Sequence, residues 1–203
     1  MTIFQALNWE SRDVDDEHLI SVFGRTKEGK SVCVTTPFKP YFFIKLPKNA
    51  TETSTRALYS KINACTENSI DTYELVKAKD LWGFQNNEKS IFMKLNFQSL
   101  QRMRRCDGKL RRPLRDETHP HKVYEANLDP VLRFMHRTGI QSTGWMEIPP
   151  EDSVRSNLAR VNIDLFCNNW RNLKAVDCDE MAPFVVASFD IETYSSTGKF
   201  PEA

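Results

Sequence analysis

Residues 18–37, "HLISVFGRTKEGKSVCVTTP", are two runs in which apolar and polar residues alternate, joined by Lys-Glu-Gly-Lys. Alternation of period two turns one face of each run toward a core. Gly29 supplies the positive φ that a tight turn requires, so the stretch predicts a β-hairpin and commits the chain to sheet. "PYFFIKLP" follows as a strand, bracketed by Pro40 and Pro47, which cannot donate to a ladder. "STRALYSKINA" then reads as a helix capped by Thr53 or Ser54, with Ala57, Leu58 and Ile62 on one face. "TYELVKA" and "SIFMKLNF" read as strands, and "SLQRMRRC" as a helix that stops at Asp107-Gly108. Short strands and helices in this order predict an α+β fold, mixed sheets with short helices on one face. Gly24, Gly29 and Gly108 read as turn residues.

A second part opens at "NLDPVLRFMHRTGI", where Pro130 suits a first helical turn and Gly139 a helix end. Val131, Phe134 and Met135 share a face of that helix. "GWMEIPP", "ARVNIDLFCNNW" and "FVVASFDIET" read as further strands. The boundary between the two parts falls near residues 125–140, which gives domains of 1–138 and 139–203.

Several classes are excluded by composition. Lysine plus arginine (28) nearly cancels aspartate plus glutamate (27), so only local clusters can argue for nucleic acid. The N-terminus has no basic start or long apolar core, which argues against a signal peptide and secretion. No apolar run reaches membrane-spanning length. The five cysteines are scattered and odd in number, which favours reduced thiols and argues against a zinc site.

Two features carry chemistry. Asp190 and Glu192 end the apolar run "FVVASF", and in a strand they share one face. Paired carboxylates there repel each other and are costly to desolvate unless a cation offsets them. Magnesium ions suit such oxygens, and a two-metal site stabilises both attacking and leaving oxygens in phosphodiester cleavage. The plainer reading is a chance Asp-x-Glu on a solvated surface, which is how Asp15-Asp16-Glu17 and Asp179-Glu180 read. The second feature is "QRMRRCDGKLRRPLRDETHPHK", the one strong basic cluster. Arg104, Arg105, Arg111 and Arg112, with Arg102, Lys109 and Arg115, could neutralise phosphates. Alternatively they form a solvated face partly paired with Asp107, Asp116 and Glu117. Tyr41, Phe42, Phe43, Trp82 and Phe84 are candidates for stacking bases, with core the better account of most. Phe42 should face away from Tyr41 and Phe43. His119 and His121 read as loop residues.

The text around the carboxylates is more specific than the pair. "SFDIETYSSTGKFPEA" resembles the first exonuclease motif of B-family DNA polymerases, including the Gly-x-Phe-Pro of polymerase delta-like enzymes. "YEANLDPVLRFMHRTGIQSTGWMEIP" is similar to the delta-type segment that joins the N-terminal domain to the exonuclease domain. "FGRTKEGKSVCVTTPFKPYFFIKLP" resembles that family's opening hairpin and third strand. The flavour is that of polymerase delta and of polymerases from large DNA viruses of eukaryotes. The resemblance implies an N-terminal polymerase domain plus the first strands of an RNase H-like 3′→5′ exonuclease domain. It implies a DNA-directed DNA polymerase as the parent protein, with Asp190 and Glu192 holding two magnesium ions at a mispaired primer end. The implied partners are DNA template-primer, the remainder of the polymerase chain and a processivity factor. The implied location is the nucleus, or host cytoplasm and viral factory. On this reading the chain is a piece of a longer protein, inactive alone, with its strand after Ala182 short of neighbours. The alternative from a different class is a free-standing nucleic-acid-binding or scaffold module without catalysis.

Overall fold

A computed structural model describes residues 1–80, 86–114 and 121–190. In chain order its elements are β1 (Thr2–Val14), β2 (Glu17–Arg25), β3 (Ser31–Pro37), β4 (Tyr41–Lys45), α1 (Glu52–Cys65), β5 (Thr72–Ala78) and β6 (Ser90–Asn96). They continue with α2 (Leu100–Leu110), β7 (Val123–Tyr124), α3 (Pro130–Thr138), β8 (Trp145–Ile148), β9 (Val154–Arg155), β10 (Ile163–Phe166) and β11 (Lys174–Val176).

The strands form two sheets. One has seven strands in the order β11-β8-β1-β2-β3-β10-β9, and the other four in the order β5-β6-β4-β7. The hairpin of β2 and β3 forms as expected, with Gly29 at φ +80° in its turn. A second hairpin joins β1 to β2 through Asp15 and Asp16, at φ +48° and +66°, the paired left-handed geometry of a two-residue turn. Strand β1 escapes the alternation rule because its register shifts between Ala6 and Asn8. Leu7 is thrown outward there, 60% exposed, while Phe4 and Ala6 point into the core. Gly24 is a mid-strand residue opposite Ala6, not a turn residue. A Cβ on it would overlap the Gln5 carbonyl and lie 2.6 Å from Phe4 Cδ2.

The four-stranded sheet is a β-α-β-β-α-β unit built from β4, α1, β5, β6, α2 and β7. Both helices cover one face, where Phe42, Ile44, Met93 and Leu95 meet Ile62, Met103, Cys106 and Leu110. The cap of α1 is Thr51, not Thr53 or Ser54. Thr51 Oγ1 accepts from the Ser54 N–H at 3.1 Å and Ser54 Oγ accepts from the Thr51 N–H at 2.9 Å. Ala57 is exposed, whereas Ile62 is buried. Helix α2 runs through Asp107-Gly108 to Leu110 because Cys106 and Leu110 continue its buried stripe and Gly108 sits on the open side.

The core of the other sheet gathers Phe4, Val22, Val34, Phe134, Met146 and Ile148. Helix α3 starts at Asp129 and Pro130 and ends on Gly139 at φ +73°, as expected. Residues on both sides of position 138 build this sheet: β8 pairs with β1, and β10 lies parallel to β3. The ladder of β10 covers only Ile163–Phe166, shorter than the alternation suggested. The strand expected over 184–193 is not formed in its described part, residues 184–190. Val185, Val186 and Phe189 are 82%, 86% and 84% exposed, with no described strand beside them to supply a ladder.

Candidate functional site

Helix α2 displays the basic cluster, and its start is held by acids of the first hairpin. Asp13 accepts from the Leu100 and Gln101 N–H groups at 3.0 and 2.9 Å. Ser99 caps the helix and donates to Asp16 Oδ1 at 3.0 Å. The helix has no acid of its own in the first turn, so these carboxylates meet its positive end. Burial opposes the charge on Asp13, but the Leu100 N–H, the His18 ring and the Gln101 N–H outweigh it and hold its carboxyl below the ordinary range. The Asp15-Asp16-Glu17 cluster, read above as solvated surface, is therefore partly structural.

The buried stripe of Met103, Cys106 and Leu110 fixes where the arginines point. Arg102 is committed to Asp16, its Nε donating at 2.8 Å. Arg105 reaches Glu67 at 3.2 Å, and Arg111 reaches Asp107 at 2.8 Å. The Arg105–Glu67 pair is exposed and contributes about 0–1 kcal/mol, so a phosphate could compete for Arg105 at small cost, whereas Asp107 is only 16% exposed and takes both Nε and Nη2 of Arg111. Arg104, Lys109 and Arg112 make no ion pair with a described residue. Arg105, Lys109 and Arg112 line a shallow groove with Gly108, Pro113 and Leu114. The Asp107 partner expected from sequence is present, while Arg115, Asp116, Glu117 and His119 lie outside the described residues.

Asp190 lies on the exposed segment that follows Ala182, and Glu192 lies outside the described residues. No group of three or more His, Cys, Asp or Glu side chains suited to a metal occurs among the described residues. Those residues therefore offer one carboxylate of the expected pair, which is not a complete ligand set. Tyr41 and Phe43 are half-buried on the face opposite the fully buried Phe42, as alternation requires, whereas Trp82 and Phe84 lie outside the described residues.

One concentration of charge escaped the sequence reading. Arg137, Trp170 and Arg171 come together at a cleft of about 400 Å³ between the two sheets. The only signal was Trp170-Arg171 itself, an aromatic beside a cation. All five cysteines are free thiols. Burial pushes Cys33 up to about 11 and Cys106 up to about 12, which suits core residues rather than nucleophiles.

Residues 121–203 match the exonuclease domain of DNA polymerase family B. The chain is 28% identical over 98% of its length to a DNA polymerase of Paramecium bursaria Chlorella virus NY2A, covering 22% of that protein. It is 32% identical over 98% of its length to a DNA polymerase of Pyramimonas orientalis virus, covering 18%. The DNA polymerase delta catalytic subunit of Dictyostelium discoideum is 29% identical over 90% of this chain and 18% of its own length. The chain thus spans about a fifth of the length of these relatives. The family B DNA polymerase of Pyrobaculum calidifontis shares the fold, with a TM-score of 0.61 and 19% identity over 85% of this chain and 20% of that one. The matched exonuclease domain is of a generally metal-dependent nuclease type. Residues 121–203 thus carry the exonuclease-domain signature of family B DNA polymerases, and nearly the whole length of the chain aligns with viral DNA polymerases and a polymerase delta catalytic subunit.

Proposed function

We propose that this chain is the N-terminal part of a replicative DNA-directed DNA polymerase with a 3′→5′ proofreading exonuclease. The observation that carries the reading is the alignment with DNA polymerases over 98% of the chain, joined to the exonuclease-domain match over 121–203. Residues 1–138 would be the N-terminal domain and 139–203 the start of the exonuclease domain, with β8 and β10 the strands by which the second part holds the sheet of the first. The outward cations of α2 and of the residues just after it, Arg104 and Arg112 with the loosely paired Arg105 and with Arg111, would contact phosphates of the template. Asp190 and Glu192 would supply the first exonuclease motif and hold magnesium, whose chemistry is to activate water and neutralise charge at a phosphodiester. A processivity factor and a nuclear or viral-factory setting belong to the same reading. A free-standing module without catalysis is not favoured, because it leaves the exonuclease-domain match unexplained.

The test is the double substitution Asp190→Ala, Glu192→Ala in the full-length polymerase. Excision of a mispaired 3′ primer end should fall more than a hundredfold, beyond the roughly 10–100-fold cost of losing a second-shell partner. DNA synthesis on a matched primer should continue. Unchanged excision would falsify the assignment of these two acids.

A further inference from the structure

Strand β11 is an edge of the seven-stranded sheet and ends at Val176. Among the described residues no ladder holds the chain beyond that point. The chain nevertheless turns back across the sheet, from β11 over β8 to β1. Gln5 of β1 and Trp145 of β8 stand directly opposite each other, so their side chains share one face. The Trp145 Nε1–H donates to the Glu180 carbonyl at 2.7 Å, and the Ala182 N–H donates to Gln5 Oε1 at 2.7 Å.

The grip is built from buried parts. Trp145 and Ala182 are each 3% exposed. Gln5 is fixed by its other amide atom, Nε2 donating to the Thr143 carbonyl at 3.1 Å. The turn of the β2–β3 hairpin closes the far side. Lys27 Nζ lies 2.9 Å from the Glu180 carboxylate and 5.7 Å from the Trp145 ring centre, and a Cβ on Gly29 would lie 3.5 Å from Pro183 Cγ. The Lys27–Glu180 pair is exposed and screened by water, so it adds little, and the two short bonds to the backbone carry the grip. Past Pro183 the hold ends: Val185, Val186 and Phe189 are exposed, and Asp190 lies seven residues on.

We propose that Gln5 and Trp145 are positioning residues for proofreading: by gripping Ala182 and Glu180 they fix the point from which the chain sets out to deliver Asp190 to the primer end. The proposal rests on the assignment of Asp190 and Glu192 above. With the grip, seven residues separate Asp190 from the last held residue, Pro183; without it the last held residue is Val176, and the span doubles. Effective concentration falls as roughly the −3/2 power of tether length, so doubling the span costs about threefold. A misplacement of roughly 1 Å at the reacting atoms can cost about 10²-fold.

The experiment compares variants of the full-length polymerase in excision of a mispaired 3′ primer end, in synthesis on a matched primer, and in hydrogen exchange of the peptide spanning 177–190. Gln5→Met keeps the length of the side chain and removes both of its hydrogen bonds, whereas Gln5→Glu keeps the acceptor for the Ala182 N–H. Gln5→Met should lower excision by about threefold or more and speed exchange at Ala182, with synthesis and the urea midpoint unchanged. Gln5→Glu should return excision and exchange close to wild type, which a general loss of packing would not allow. Trp145→Phe, which lacks the Nε1–H, should speed the same exchange, and a urea melt checks that it folds. Unchanged excision in Gln5→Met, a Gln5→Glu variant as impaired as Gln5→Met, synthesis falling in step with excision, or unchanged exchange in Trp145→Phe would each overturn the proposal. The Asp190→Ala, Glu192→Ala variant separates it from the reading beneath it. If that variant loses excision while Gln5→Met does not, the assignment of the acids stands and the grip proposal fails. If excision survives without both acids, the assignment fails and the proposal with it.

Discussion

Replacing Asp13 by alanine tests what fastens the first hairpin to the helix that displays the basic cluster. The Asp13 carboxylate accepts two α2 backbone N–H groups, at 3.0 and 2.9 Å, and lies 2.7 Å from His18 Nδ1. Loss of a helix-capping acceptor costs about 1 kcal/mol. The imidazole adds more. The His18 side chain is 0% exposed and its Nε2 has no hydrogen-bond partner among the described residues, so without Asp13 neither ring nitrogen would be paired with one of them. Stranding a buried polar group costs about 1–3 kcal/mol. The Asp13 side chain is 28% exposed and water can reach part of the gap, so the total is about 3 kcal/mol rather than the upper limit. For a chain of this size that is a fall in Tm of about 6–12 °C.

The assay is thermal and urea unfolding, followed by circular dichroism, of wild type and Asp13→Ala across pH. The folded-state pKa of Asp13 is depressed. Its stabilisation is therefore present above the unfolded value of about 3.9 and is lost as pH falls through the folded value. The wild-type and variant curves should stand apart at neutral pH and converge in acid. A gap below about 1 kcal/mol at pH 7, or one that widens on acidification, would refute the reasoning.

Gly24→Ala should destabilise by about 3 kcal/mol through overpacking, since its Cβ would press on the Gln5 carbonyl and on Phe4 in the core; a urea midpoint unchanged from wild type would mean that the bulge in β1 can relax. Native thiol labelling at pH 8 should reach Cys65 and Cys178, which are partly exposed, and spare Cys33 and Cys106, whose thiols burial pushes up to about 11 and about 12. Mass-spectrometric detection of native Cys106 modification at a rate equal to that of Cys65 would count against that packing.

Where local chemistry decided structure, the sequence was readable. Gly29 and the alternation around it placed the β2–β3 hairpin, and Pro130 with Gly139 bracketed α3. Where one residue changed the period, it was not. Leu7 bulges out of β1 and breaks the alternation that Phe4 and Ala6 begin, so a strand of 13 residues was hidden. Asp107-Gly108 has the look of a helix stop, but burial of Cys106 and Leu110 and the Asp107–Arg111 pair carry α2 past it. The run "FVVASF" has strand composition, yet composition cannot supply a neighbouring edge, and residues 184–190 form no ladder. The cleft was invisible for another reason. Its residues come from β2, β3, β4, β5, β6, α3 and the turn after β10, and no sequence window spans them.

The distribution of ion pairs explains how a near-neutral chain can still present a basic face. Acids from three separate places, Asp16 in the first hairpin, Glu67 after α1 and Asp107 within α2, each take one arginine of the cluster. The Asp16 contact sits beside the cap at Ser99 and helps to fix the orientation of α2. The Glu67 contact is an exposed pair of small energy, easily exchanged for a stronger anion, while Asp107 is only 16% exposed and holds Arg111 through two donors. Arg104, Lys109 and Arg112 are left with their charge unspent among the described residues. Net charge therefore understates what this surface can bind. Phosphate contact would begin with Arg104, Lys109 and Arg112 and recruit Arg105 as Glu67 is displaced, with Arg111 reached through its exposed side, while Arg102 stays on Asp16 to hold the helix in place.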